Sequence, residues 1–463
     1  MSLGRVAALG LACAALGCAR YLPAPLDPAA TADAYGARRL DAPDLRAWLS
    51  AHGGAADTGW TSATLGLVAL YYHPAVSRAR ATWESARAAE GTAGARPQPD
   101  LQGELGYATS SAVFESRWLG VLSAVFTVEL GGKRGARVIA ARARSAVAET
   151  DLEDTAWRTT RAVRAAAVEL AGAEERLADA SQGSDRVSAF AARLRRRYDE
   201  GTLARSELAV FESEEADMRA GAARERAGMA AARVLLAQAA GLPAVALDGV
   251  PIAPEPVPVC VPERGDSLHA LALRRRPEVG RALAEYAVAE GDLRVAVAGS
   301  YPDLSLGPGY TWDQGIGRWS LLFGLPRLPL NGNRGPIAEA VARRGEAAAR
   351  FAERQQAVLA DVSSAMAGCR VAEADAAGAD SLRRATERRA ELARAAYERG
   401  EIGAIELEPA ELAETRALRD LHSAEQRLAS AALALETATG AWPPGTVQWP
   451  DPREPIGSEE GAR

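Results

Sequence analysis

Two periodicities run along the apolar positions of this chain, a step of two and a step of seven. Leu101, Leu105 and Tyr107 alternate with Gln102 and Glu104, which predicts a strand over Leu101–Thr109. Trp118–Leu130, rich in Val, Phe and Leu, predicts the returning strand. Further on, Leu304, Leu306, Tyr310 and Trp312 fall on one side of a strand, and Trp319, Leu321, Phe323 and Leu325 on its return. About ten residues per strand suits a tilted barrel wall. Between the strand pairs the step becomes helical. Leu65–Ala93 reads as one helix, and Gly135–Tyr198 runs 64 residues without proline. At about 1.5 Å per residue the latter spans about 96 Å. Val163, Leu170, Leu177, Ala191 and Tyr198 keep the seven-residue step, with Ala166, Ala173, Ala180, Val187 and Leu194 between them. The chain returns through Ser206–Ala240 and, after the Pro-rich Gly241–Ser267, through Leu268–Ala298. Together the return pieces match the outward helix in length, as a hairpin with a two-part return leg requires. In the last helix Leu407, Leu421, Leu428 and Leu435 alternate with Ala410, Ala417, Ala424, Ala431 and Ala438, a close-packing coiled-coil seam.

The pattern occurs twice. Pro74–Ala79 aligns with Pro277–Ala282, and the same offset carries Pro99-Asp100-Leu101 onto Pro302-Asp303-Leu304. Gly132-Lys133-Arg134-Gly135 meets Gly332-Asn333-Arg334-Gly335, and Tyr198-Asp199-Glu200-Gly201 meets Tyr397-Glu398-Arg399-Gly400. Ordered anchors with small slips describe two copies of one unit of roughly 200 residues. The predicted organisation is a signal peptide over 1–17, an N-terminal lipidated, extended segment over 18–64 and a first repeat over 65–240. A Pro-rich equatorial linker over 241–267, a second repeat over 268–440 and an irregular tail over 441–463 follow.

Composition sharpens this. Nearly half the chain is hydrophobic, but only 5% is aromatic, and alanine supplies much of the rest. Alanine favours helix and buries little area, which suits thin helical seams. The net charge of -6 offers no general attraction for nucleic acid. Past the N-terminus no apolar run reaches the roughly 20 residues of a membrane helix, which excludes a helical inner-membrane transporter but not a barrel. Four strands cannot close a barrel, and open sheet edges are forbidden in lipid, so other copies must complete it. Met1–Arg5 followed by apolar Val6–Leu16 reads as an export signal ending Ala15-Leu16-Gly17-Cys18, and Cys18 is the candidate acylated residue. Of the remaining cysteines, Cys13 leaves with the signal. Cys260 and Cys369 could form a disulfide that nothing in the sequence supports.

Taken together these features resemble the TolC-like outer-membrane factors of Gram-negative bacteria over about residues 40–440. The junctions Val128–Arg137 and Leu328–Gly335 resemble most the heavy-metal branch typified by CzcC and CusC. The resemblance implies a mainly α fold with a small β part. It implies a homotrimer whose 12-stranded outer-membrane β-barrel, four strands per chain, continues into a long α-helical coiled-coil periplasmic tunnel. It also implies two partners, a periplasmic adaptor and an inner-membrane pump of the resistance-nodulation-division (RND) type, with outer-membrane lipid around the barrel. Tyr198, Gly201, Tyr397 and Gly400 then mark the periplasmic tips that meet the adaptor. The family's Val-Gly-Leu tip is replaced here by Glu200/Thr202 and Arg399/Glu401 around the glycines.

Just beyond the tips, Glu207/Glu406, Glu212/Glu411 and Glu215/Glu414 recur in both copies. In a trimer each becomes a ring of three, which favours cations and can gate a narrow pore. Glu207, Glu215, Glu406 and Glu414 are the candidate gate carboxylates, against the plainer reading of solvated faces or ion pairs. Gly132, Lys133, Arg134, Gly332 and Arg334 form the barrel-to-helix junctions. Gly131-Gly132-Lys133-Arg134 lacks the spacing of a phosphate loop. His52, His73, His269 and His422 are scattered, and no triad or metal-binding motif appears, so no enzyme, cofactor or metal site is expected. Trp118, Trp312 and Trp319 suit an interfacial aromatic girdle, while Trp83 and Trp157 suit packing. The reading is a passive exit duct of a tripartite efflux system, of heavy-metal type. The rivals are drug efflux or type I secretion on the same fold, and a structural coiled-coil lipoprotein.

Overall fold

The computed structural model describes residues 21–54, 59–109, 117–253, 260, 265–313, 315–326, 330–441 and 450–453. The signal peptide and Cys18 lie outside the described residues. The chain forms two compact units, Met1–Arg39 and Leu40–Arg463. In the first, Pro28–Gly36 is a helix (α1) capped by Asp27, which accepts from the Ala29 and Ala30 amides. The expected extended segment over 18–64 is thus partly helical. In the second unit, Pro43–Ala51 (α2) begins on a proline and buries Leu45 and Leu49 completely.

The repeats follow the predicted order, with two breaks. The single helix expected over Leu65–Ala93 is two, Ser62–Tyr72 (α3) and Pro74–Gly94 (α4). The single helix over Leu268–Ala298 is likewise two, Gly265–Arg275 (α7) and Pro277–Ala298 (α8). The cause is the same in both. His73 and Arg276 precede prolines and take extended backbone, with ψ of 123° and 121°, because a proline ring clashes with a helical residue before it. The long helices are Lys133–Asp199 (α5) and Arg334–Glu398 (α9), and their tip-ward returns are Arg205–Ala239 (α6) and Ala404–Ala438 (α10). α5 packs along its length on both α6 and α8, so its return leg does come in two stacked pieces.

Four strands, Asp100–Tyr107 (β1), Trp118–Val128 (β2), Leu304–Asp313 (β3) and Ile316–Gly324 (β4), form one antiparallel sheet in chain order. Its register sorts the side chains. Leu105 stands opposite Gly120, Leu122 opposite Tyr310 and Tyr310 opposite Trp319, so one face is apolar throughout. The other face carries all four charged residues of the strands, Asp100, Glu104, Asp313 and Arg318. The apolar face is bare in a single chain, with Trp319 and Phe323 each 81% exposed. Trp118 meets Tyr107 edge to face and Trp319 meets Tyr310 at a tilt, with ring centres 5.1 and 5.0 Å apart. These aromatics sit at the hairpin-turn end of the sheet.

The main core joins α2, α3 and α4 to the middle of α5 and the end of α6 through Leu45, Leu67, Leu152, Leu170 and Leu236. Alanines space the seams. Ala410, Ala417, Ala424 and Ala438 of α10 are buried, and so are Leu421 and Leu435. Tyr198, placed on the seam by its heptad step, is 40% exposed because it lies in the last turn of α5, beyond the packed region. No described helix is long and apolar enough to cross a membrane.

Candidate functional site at the hairpin tips

Each long helix ends on the same turn. The Gly201 amide donates to the Tyr198 carbonyl and the Thr202 amide to that of Arg197, both at 2.9 Å. In the second repeat the Gly400 amide donates to Tyr397 and the Glu401 amide to Ala396, again at 2.9 Å. Both glycines have φ of +74°, the left-handed conformation that a side chain disfavours at a helix C-terminus. Tyr198 and Tyr397 stand exposed beside them. Three residues on, the return helix is capped. Glu207 accepts from the Ala204 amide at 3.1 Å, and Glu406 accepts from the Gly403 amide at 2.6 Å. One half of a capping box is therefore built twice, by carboxylates that also suit the positive end of the helix dipole.

The deeper carboxylates tie outward to return helices. Arg195 reaches Glu212 and Glu215, and Arg394 reaches Glu411 and Glu414, the same arrangement in each repeat. Glu215 is buried. Burial alone would raise its pKa, but bonds from Arg195 and Ser188 outweigh it and hold the carboxyl below its ordinary range. Burial also works against ionised Glu411, and Arg394 with Arg186 again wins. Contacts then cross between the hairpins of the chain. Arg186 of α5 pairs with Glu411 of α10, Glu214 of α6 with Arg416, and Asp179 lies 2.7 Å from His422 Nδ1. Gly172 faces Gln426 so closely that a Cβ there would lie 2.2 Å from the side-chain amide carbon.

At the other end, Gly131, Gly132 and Gly332 turn strand into helix with left-handed backbone, and Asn333 does the same at φ of 57°. Lys133 is bonded to Asp303 at 2.7 Å, and Arg134 donates to the Gly94 carbonyl at 2.6 Å. Arg334 opens α9 as Lys133 opens α5. Lys133 and Arg134 are thereby tied into local structure.

A profile of the outer membrane efflux protein family matches residues 68–242 and 268–441. The chain belongs to the outer membrane efflux protein family. Solved structures with the same fold include the outer membrane protein VceC from Vibrio cholerae. It is 20% identical with a TM-score of 0.66, over 81% of this chain and 95% of that one. CusC is 17% identical with a TM-score of 0.65, over 82% and 92%. The open-state MtrE outer membrane channel of Neisseria gonorrhoeae is 17% identical with a TM-score of 0.64, over 82% and 89%. No curated protein matches. CusC stands no nearer than VceC, so the fold does not single out the metal branch.

Among the described residues no cluster could hold a metal ion. Sequence reasoning missed two features of this family member. One is Glu408, buried two residues past Glu406. The other is a second heptad on α6. Ala209, Ala216, Ala223 and Ala230, with Ser213, Ala220, Ala227 and Val234, keep a strict seven-residue step and are all exposed. That seam was legible in the sequence, but it is not the face that this chain buries.

Proposed function

We propose that three copies of the chain assemble into an outer-membrane exit duct fed by a periplasmic adaptor and an inner-membrane pump. One observation carries the reading, namely a four-stranded sheet with one wholly apolar, uncovered face and unpaired edges at β1 and β4. Such a face belongs in lipid, and such edges must be paired there. Twelve strands from three copies would pair them. The pseudo-symmetry of the helices supports closure. Every buried residue of α9 coincides, 199 positions back, with a buried residue of α5. The reverse fails toward the tip. Gly172 of α5 is covered by Gln426 of α10, and Gly183 by Met218 of α6 and Thr415 of α10, whereas their equivalents Val371 and Leu382 are exposed. The missing cover is the α6 alanine seam of a second copy, since α6 is the equivalent of α10.

Within that assembly the tips Tyr198–Gly201 and Tyr397–Gly400 are the adaptor-facing rim. Glu207 and Glu406, exposed at the helix starts, form the gate rings, while Glu215 and Glu414 lock each hairpin through their arginines. Cys18 is the lipid anchor. The pump is assigned to the RND class that exports metal cations, on the junction residues Val128–Arg137 and Leu328–Gly335 alone. Purified protein in planar bilayers should give discrete conductances, and cells lacking it should become sensitive to metal cations rather than to drugs. A protein that forms no channel overturns the duct, and sensitivity to drugs alone overturns the metal assignment.

A further inference from the structure

Glu408 has no acidic counterpart in the first repeat, where the equivalent position is Ala209. It lies in the first turns of α10, turned toward α5, and is 3% exposed. Its buried Oε1 has no hydrogen-bond partner, and the nearest cation, Arg186 Nε, is 4.0 Å away. The charged groups around it are few. α5 presents Arg186 and Arg193, and α10 itself presents Glu411. From α9, Arg394 reaches Glu411 and Glu414. Leu208 and Phe211 of α6 pack with Ala404 and Ile405 one turn below, and the nearest acid α6 bonds across to α10 is Glu214, held by Arg416. Arg186 is already committed to Glu411, so Glu411 is satisfied where Glu408 is not. Pro409 follows at once inside the helix. A proline there removes the bond its amide would have made to the carbonyl four residues back, so the first turn of α10 is joined to the rest by one bond fewer.

We propose that Glu408 is a proton-operated latch between the two hairpins of one chain. With the proton on, α10 lies against α5 and the entrance is closed. With the proton off, a buried carboxylate whose Oε1 accepts no hydrogen bond draws water into the seam and the first turns of α10 swing away about Pro409. The inference rests on the tunnel reading and adds its regulation. Burial, helped by the Glu411 charge, pushes the Glu408 carboxyl up, only partly opposed by Arg186 and Arg193. A closed seam that holds the proton more tightly than an open, hydrated one is stabilised as pH falls, and loses that stability as pH rises through the raised pKa. The seam between copies would not respond in this way, because Ala209 and Ala385 stand at the equivalent positions.

The test uses the full-length assembly and reads amide hydrogen exchange of α10 residues 404–415 between about pH 5.5 and about pH 8, corrected for the intrinsic pH dependence. Opening of the wild-type segment should rise by at least about threefold toward the higher pH. Glu408→Gln should abolish the rise and keep exchange slow, and Glu408→Leu, neutral and apolar, should do the same. Unchanged exchange in α3 shows that each variant is folded. A flat wild-type profile, a rise toward acid, or a wild-type profile kept by both variants would overturn the latch. Exchange does not depend on conduction, so failure of the duct in bilayers is read separately.

Discussion

Glu406 and Glu408 are two residues apart and do different chemistry. Glu406 is exposed and gives one oxygen to the Gly403 amide, which leaves its charge in water. Cap and charge can be separated. Glu406→Gln keeps an acceptor for the amide and removes the charge, so thermal stability should change by no more than about 0.5 kcal/mol while cation preference in bilayers falls. Glu406→Ala loses both and should also cost roughly 0.3–1 kcal/mol. Cation preference unchanged in the Gln variant would leave Glu406 as a cap alone. The recurring acids were legible in the sequence because they repeat, but repetition preserves helix caps as faithfully as pore charges. Glu408 was not legible because it has no partner copy and its meaning lies in burial.

The elements show where periodicity informs and where it misleads. The strand alternation of Leu101–Tyr107 and Leu304–Trp312 passed into the paired register unchanged, because a one-residue slip would have put Glu104 among the leucines. The helices were read too long at Pro74 and Pro277, since apolar spacing continues across a break that only the proline ring imposes. The cysteines were the least legible. Cys260, from the linker, is bonded to Cys369 in the middle of α9, 109 residues away, and the pair is buried with Ala432 and Leu435. No local pattern can report a bond of that span. It anchors the linker to the second hairpin, and closing a long loop constrains the unfolded chain. Cys260→Ser should lower the stability of the assembled protein by roughly 2–5 kcal/mol, read as a drop in thermal midpoint. Reductant should lower the wild type similarly and leave the variant unmoved. An equal response in both would show that the effect lies outside this bond.

At the scale of the molecule the two hairpins of one chain make a polar seam, and two chains should make an apolar one. Asp179–His422 and Arg186–Glu411 hold the first. Shifting Asp179 forward by 199 positions and His422 back by as many gives Gly378 and Ala223, both exposed and neither able to form an ion pair. A long helix that leaves Val371, Leu382 and Leu392 uncovered is an incomplete interface. In the proposed ring the occupant is a second copy's α6, since α10 on α5 within the chain would become α6 on α9 between chains. Gly378→Cys combined with Ala223→Cys should therefore cross-link neighbouring copies under oxidation, and neither substitution alone should do so. A heterologous contact either closes into a ring or runs on as a filament. Two copies would give eight strands, whose interior side chains fill, so three copies with twelve are the smallest ring that leaves a lumen. The oxidised double variant should then give bands of one, two and three chains and none beyond. Absence of cross-linking would place the seam elsewhere, and a ladder that continues past three chains would refute the closed ring.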